Sequence, residues 1–456
     1  MMLKNEKRSV LQEIITVLIG GLLMGMLWRA RGEHGWGSES GVLMVGFVYT
    51  LFAIVVLGAR KKMDLGWFAF TVSSFVLTTP AWGTLLSQIT GTLRASATVD
   101  EEVLTADISV FSAVFMMLCL GFGMATLFGI LLGRGYSDKQ WKLRDIILLV
   151  AVFYAVDLIT KASVAHWVIQ AVQPEAAELF EQGLSKAGIE GSAYSVYMEH
   201  FASIPWGKKI HGGRNYFSEV QVVANAIKTL VCLLFVRFVI KDKTAAKIGF
   251  AVNGAFAISI TVADLFFFFT NGGLRGSMEP YTGSFIYAWS NWEYFTGFIA
   301  GVIITAVLLK CRPTSDVADL AFANVPEKAK NIFILLGGFG VIAVNMIRPA
   351  VLRFDTTDTS TVIGVMIGVI LAVAALILFI RFAGINAENC GMENLARVLL
   401  AFFVGFIAVF YLFICTEEYR NILEINTLHN ILFSVSAVLC LAWSIKEAVK
   451  IKQIQQ

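Results

Sequence analysis

The residues best able to do chemistry crowd into one short stretch, 28–41, which reads Trp-Arg-Ala-Arg-Gly-Glu-His-Gly-Trp-Gly-Ser-Glu-Ser-Gly between two apolar runs. Arg29 and Arg31 carry planar forks that grip carboxylate or phosphate oxygens in pairs. Glu33 and His34 can accept a proton, as a general base does in group transfer. The glycines among them let the backbone turn tightly and come close to a ligand. Two later stretches repeat this composition. The first, 206–219, holds Trp206, His211, Gly212, Gly213, Arg214, Asn215 and Glu219, and the second, 271–280, holds Gly272, Gly273, Arg275 and Glu279. Arg29, Arg31, Arg214, Asn215 and Arg275 therefore form a candidate binding set for an anionic group. If the chemistry is group transfer, Glu33, His34 and His211 are the candidate acid–base residues.

A second set lies inside apolar runs: Asp157, Lys161, Lys228, Asp264 and Glu293. A charge at the centre of a membrane helix costs at least about 2.5 kcal/mol, so each must face a partner or a wet cavity. Asp157 and Lys161 stand four residues apart, share a helix face and can neutralise each other. With Asp264 they are the candidates for coupling an ion or proton to movement of a substrate. The six cysteines have no CxxC or Cys/His metal spacing, so free thiols, no metal and no cofactor are expected.

These residues must be positioned by membrane helices. Hydrophobic residues make up 57% of the 456, charged residues 15%, and the mean hydropathy is +0.73, which excludes an ordinary soluble protein. The fold class is all-α and polytopic, with about twelve spans predicted at 10–28, 41–59, 65–92, 108–132, 145–170, 217–237, 247–270, 283–309, 331–352, 360–381, 393–415 and 427–446. The third span contains Pro80 and is expected to be kinked. A weak echo of Arg31-Gly32 and Gly37-Ser38 in Arg275-Gly276 and Gly283-Ser284 suggests two six-helix halves, 1–246 and 247–456. Between the fifth and sixth spans, the loop 171–216 has Pro174 at a helix start followed by an amphipathic pattern, and a second short helix is expected from Ser192 to Phe201.

With the N-terminus inside, 23 Lys and Arg fall on the inner loops and 11 on the outer ones. That bias places both termini in the cytoplasm of a chain in the plasma (inner) membrane, with 171–216 outside. Outside, eight of the eleven are Arg, whereas inside Lys predominates. An outer face rich in Arg points to an anion there.

The helix count is similar to that of major facilitator transporters. The loop 58–64 lacks that family's Gly/Asp-Arg/Gly-Arg pattern, however, and the loop between the sixth and seventh spans is short where that family's is long, so no residue role follows. Two functions fit. One is a secondary transporter or flippase for an anionic small molecule or lipid-linked head group. The other is a membrane-embedded transferase acting at the outer face on a lipid-linked phosphate or sugar. Membrane lipid is the expected surrounding partner, and a net charge of only +3 gives no reason to expect nucleic acid.

Overall fold

The computed structural model describes residues 9–32, 41–57, 68, 71–74, 94–99, 102–199, 210–211, 216–270, 288–311, 326–353, 358–385, 391–413 and 428–455. In chain order the elements are α1 (Val10–Gly32), α2 (Val42–Val55), β1 (Arg94–Val99), β2 (Glu102–Asp107), α3 (Val110–Phe122), α4 (Thr126–Arg134), α5 (Leu143–Lys161) and α6 (Val164–Val172). There follow α7 (Pro174–Lys186), α8 (Ala193–Glu199), β3 (Ile210–His211), α9 (Tyr216–Phe238), α10 (Lys243–Thr270), α11 (Ala288–Lys310), α12 (Glu327–Arg353), α13 (Thr359–Phe382), α14 (Met392–Phe413) and α15 (Leu428–Gln455).

Among the described residues, six helices are long and apolar enough to cross a membrane, or eight if each of two bent pairs is one span. α2 and the apolar parts of α14 and α15 are shorter. Each predicted span except the third has a helical counterpart, and most of 65–92 lies outside the described residues. Membrane character is plainest in α13. Only 6% of its most apolar window is buried in protein, and Ile363, Met366, Ile370, Leu371 and Leu378 stand exposed along it. Apolar surface on that scale suits lipid, and a helix satisfies its own backbone there.

Glycine sets the closest packing. α1 and α11 run antiparallel, because Gly20 meets Thr305, Gly25 meets Tyr294 and Phe298, and Gly32 meets Glu293. A Cβ on Gly301 would lie 2.5 Å from the Gly20 carbonyl oxygen, and one on Gly297 would lie 2.4 Å from that of Met24. The two backbones thus touch along most of the helix, as small residues permit in membranes. α2 and α15 brace this pair through hydrogen bonds between Tyr49 and Thr305 (2.9 Å) and between Tyr294 and Ser436 (2.7 Å). α10 packs on α11 and carries the second group of helices, α3 to α9.

Two helix pairs are bent. α3 and α4 meet at 46° and α5 and α6 at 53°. At the first bend Gly123 lies so close to α9 that a Cβ would be 2.6 Å from Asn225 Cβ, while the Ala125 N–H at the start of α4 donates to Asn253 Oδ1 of α10 (3.1 Å). At the second, the Ser163 hydroxyl donates to the Ile159 carbonyl (2.6 Å). Side chains thus take up backbone groups that a bend exposes, as a helix interrupted inside apolar surroundings requires.

The predicted helices of the 171–216 loop are present as α7, which begins at Pro174, and α8. α7 buries Leu179, Phe180 and Leu184 and packs on β1, β2, α6 and α9. The antiparallel sheet, in the order β2-β1-β3, is the departure from an all-α chain among the described residues. It pairs Arg94 with Asp107 and Thr98 with His211. The described cysteines Cys119, Cys232, Cys311 and Cys440 are free thiols.

Candidate functional site

Among the described residues, two charged clusters occur within candidate spans. The first is at the end of α1. Its last turn buries Trp28, Arg29 (1% exposed) and Arg31 (3%). Arg31 Nη2 donates to Glu293 Oε2 of α11 at 2.6 Å. The guanidinium carbon lies 4.4 Å from the Trp28 ring centroid, a cation–π contact that fixes the fork on one side. Trp28 packs in turn on Phe256 of α10, with centroids 5.0 Å apart. The charge of Arg29 also reaches Glu293. Gly32 makes room for this acid, since a Cβ there would meet the Glu293 carboxyl carbon at 2.4 Å. On α10, Asp264 is buried eight residues beyond Phe256, about 12 Å along the helix.

The second cluster joins α5, α6 and α9. Lys161 Nζ donates to Asp157 Oδ2 (2.5 Å), the pairing expected from their spacing. Lys228 of α9 adds a bond to Asp157 Oδ1 (2.8 Å), another to Asn225 Oδ1 (2.7 Å) and a seat 4.0 Å from the Phe153 ring centroid. Two ammonium groups therefore share one carboxylate. At the neighbouring bend His166 Nε2 lies 2.6 Å from the Lys161 carbonyl and Nδ1 lies 2.7 Å from the Tyr216 hydroxyl. A carbonyl only accepts, so Nε2 carries the proton and Nδ1 of the neutral ring accepts from Tyr216. Tyr216 lies just outside the apolar span of α9, and burial pushes its hydroxyl up to about 12, which keeps that donor proton in place at neutral pH. Tyr194 and Tyr197 pack edge-on against the same imidazole.

Of the predicted binding residues, Arg29 and Arg31 are buried together at the end of α1. Arg214, Asn215, Arg275, Glu33 and His34 lie outside the described residues, and for His211 only the backbone, in β3, is described. The helices flanking two of the predicted stretches do meet, since Glu293 near the start of α11 reaches Arg31 near the end of α1. Asp157 and Lys161 form one cluster, and Asp264 lies apart from it on α10, which packs on α3, α4, α9 and α11. The sequence pattern alone gives Glu293 no partner and Lys228 no link to Asp157. A usable signal for Glu293 existed, because it is the sole charged residue in the predicted span 283–309. Among the described residues, no group of His, Cys, Asp and Glu is placed to hold a metal ion.

Comparison with known families, characterised proteins and solved structures finds no match to this chain.

Proposed function

We propose that this protein is a secondary transporter or flippase for an anionic small molecule or lipid-linked head group, with Arg29 and Arg31 as the groups that bind it. The observation that carries this reading is the burial of both guanidiniums in the last turn of an apolar helix long enough to cross a membrane. Buried arginine in such a helix is costly, and its fork matches oxyanions. The bent helix pairs add support, since interrupted helices with polar side chains at the break are a recurring feature of transporters. In this proposal Asp157 and Lys161, and separately Asp264, are ion-coupling groups. The proposed twelve-span topology adds the three shorter apolar helices and 65–92 to the eight spans counted above, with both termini cytoplasmic in the plasma (inner) membrane.

Purified protein in liposomes tests this with two probes. Radiolabelled sulfate uptake reports a free oxyanion, and dithionite quenching of a fluorescent phosphatidylglycerol reports movement of an anionic head group. Transfer of at least one probe, abolished by Arg31→Ala in protein that inserts normally, is the expected result. Transfer of neither by the folded wild-type protein contradicts the proposal.

A further inference from the structure

We infer that Glu293 is an internal anion, a carboxylate that holds Arg31 until a substrate oxyanion replaces it and that then takes up a proton from water. This rests on the reading of Arg31 as an anion-binding group. It adds the coupling chemistry of that site.

The geometry supplies each part. Glu293 Oε2 sits 2.6 Å from Arg31 Nη2, the distance of a charge-assisted hydrogen bond. It thus occupies the position a substrate oxygen would take on the fork. Trp28, 4.4 Å away, holds the guanidinium from its face and does not depend on which oxygen the fork binds. Gly32, which has no Cβ, lets the Glu293 carboxyl group lie directly against the α1 backbone beside the fork. The carboxylate is carried by α11 and the guanidinium by α1, so exchange of partners requires no break within either helix.

Charge balance then dictates the proton. Arginine stays protonated at any working pH, so it cannot give up charge when a second anion arrives. A carboxylate deprived of its cation in apolar surroundings is far less stable than the neutral acid. Among the described residues, the groups on the helices packed against Glu293 offer it little compensation. α1 contributes Arg29 and Arg31, both of which the incoming anion would engage. α2 carries no charged residue, the C-terminal half of α10 carries only the acid Asp264, and α15 carries His429 in its first turn. Binding of one anion is therefore linked to uptake of one proton on Glu293, and both move together.

The linkage is measurable in nanodiscs of phosphatidylcholine, with sulfate as probe because it remains a dianion from pH 5 to 8 and itself takes up no proton. Calorimetry in buffers of different ionisation enthalpy counts the protons. Wild-type protein is expected to take up one proton per sulfate, with affinity falling about tenfold per pH unit over the range where Glu293 is ionised before binding. Glu293→Gln mimics the protonated state, and is expected to bind sulfate with no proton uptake and no such pH dependence. Sulfate binding by wild-type protein without proton uptake overturns the inference and leaves the anion site standing, as does an unchanged proton count in Glu293→Gln. Binding neither of sulfate in these discs nor of phosphatidylglycerol in a parallel set overturns the anion reading and the inference with it. The proton count on wild-type protein needs no variant to fold.

Discussion

The Arg31–Glu293 pair and the Asp157–Lys161–Lys228 cluster bury charge in opposite ways. The first hydrogen-bonds one acid to one base, with the charge of Arg29 also near it, between two helices whose backbones touch through Gly20, Gly21, Gly25, Gly297 and Gly301. The second puts two bases on one acid beside a 53° bend, where His166 donates to the Lys161 carbonyl and is itself held by Tyr216. A hydrogen-bonded pair on a rigid helix contact can exchange its acid for a monoanion without changing local charge if the displaced acid is neutralised. A cluster with an extra positive charge next to a bend resists loss of its one acid and tolerates loss of a base. The two regions should therefore fail in different ways.

The largest effect is expected at Asp157. Asp157→Asn strips the buried Lys228 ammonium and the half-buried Lys161 ammonium of their counter-ion and should cost about 3–5 kcal/mol, read as loss of folded protein or a lowered unfolding midpoint in nanodiscs. Lys161→Met leaves the Lys228–Asp157 pair intact and should cost far less, which sharpens the asymmetry. At the other region, Gly301→Leu drives a side chain into the Gly20 carbonyl and Met24 and should cost about 1–3 kcal/mol, whereas Gly254→Ala, with open space around it, should be neutral or better. Tyr216→Phe removes the donor to His166 Nδ1 and should cost about 1 kcal/mol, with no change in sulfate binding at Arg31.

The smallest effect lies outside both regions. Asp358 accepts from the Ser360 N–H at the start of α13, and the Ser360 and Thr361 donors hold its carboxyl below the ordinary aspartate range. A depressed acid stabilises the folded state above its unfolded pKa, and that contribution fades as pH falls through the folded value. Asp358→Ala should therefore differ slightly from wild type at pH 7, and the two unfolding midpoints should converge as the medium is acidified below that value.

Local patterns were legible in the sequence, and long-range pairings were not. Composition and apolar run length located six to eight candidate membrane helices of the twelve expected, Pro174 marked the start of α7, and the four-residue spacing of Asp157 and Lys161 gave their contact. Arg31 and Glu293 are 262 residues apart and Lys228 and Asp157 are 71 apart, so no periodicity connects them. The bend after Lys161 contains neither Pro nor Gly, since Ala162-Ser163 occupies it, and so lacked the usual breaker signal. The β1–β2 pairing was signalled only by the β-branched residues in Ala-Thr-Val and Glu-Val-Leu-Thr, in a segment whose acidic residues read as a loop. Charge counting gave an orientation that rests on loops, many of them outside the described residues.

The central claim, that the Arg31 fork binds an anion, is tested most directly by comparing Arg31→Lys with Arg31→Ala in sulfate binding by protein that inserts at normal levels. Lysine keeps the charge and loses the paired geometry. The account expects Lys to impair binding nearly as much as Ala, while Arg94→Lys, at the start of β1, binds as wild type does. If Lys is tolerated at Arg31 as well as at Arg94, Arg31 is an anchoring charge and the account is wrong.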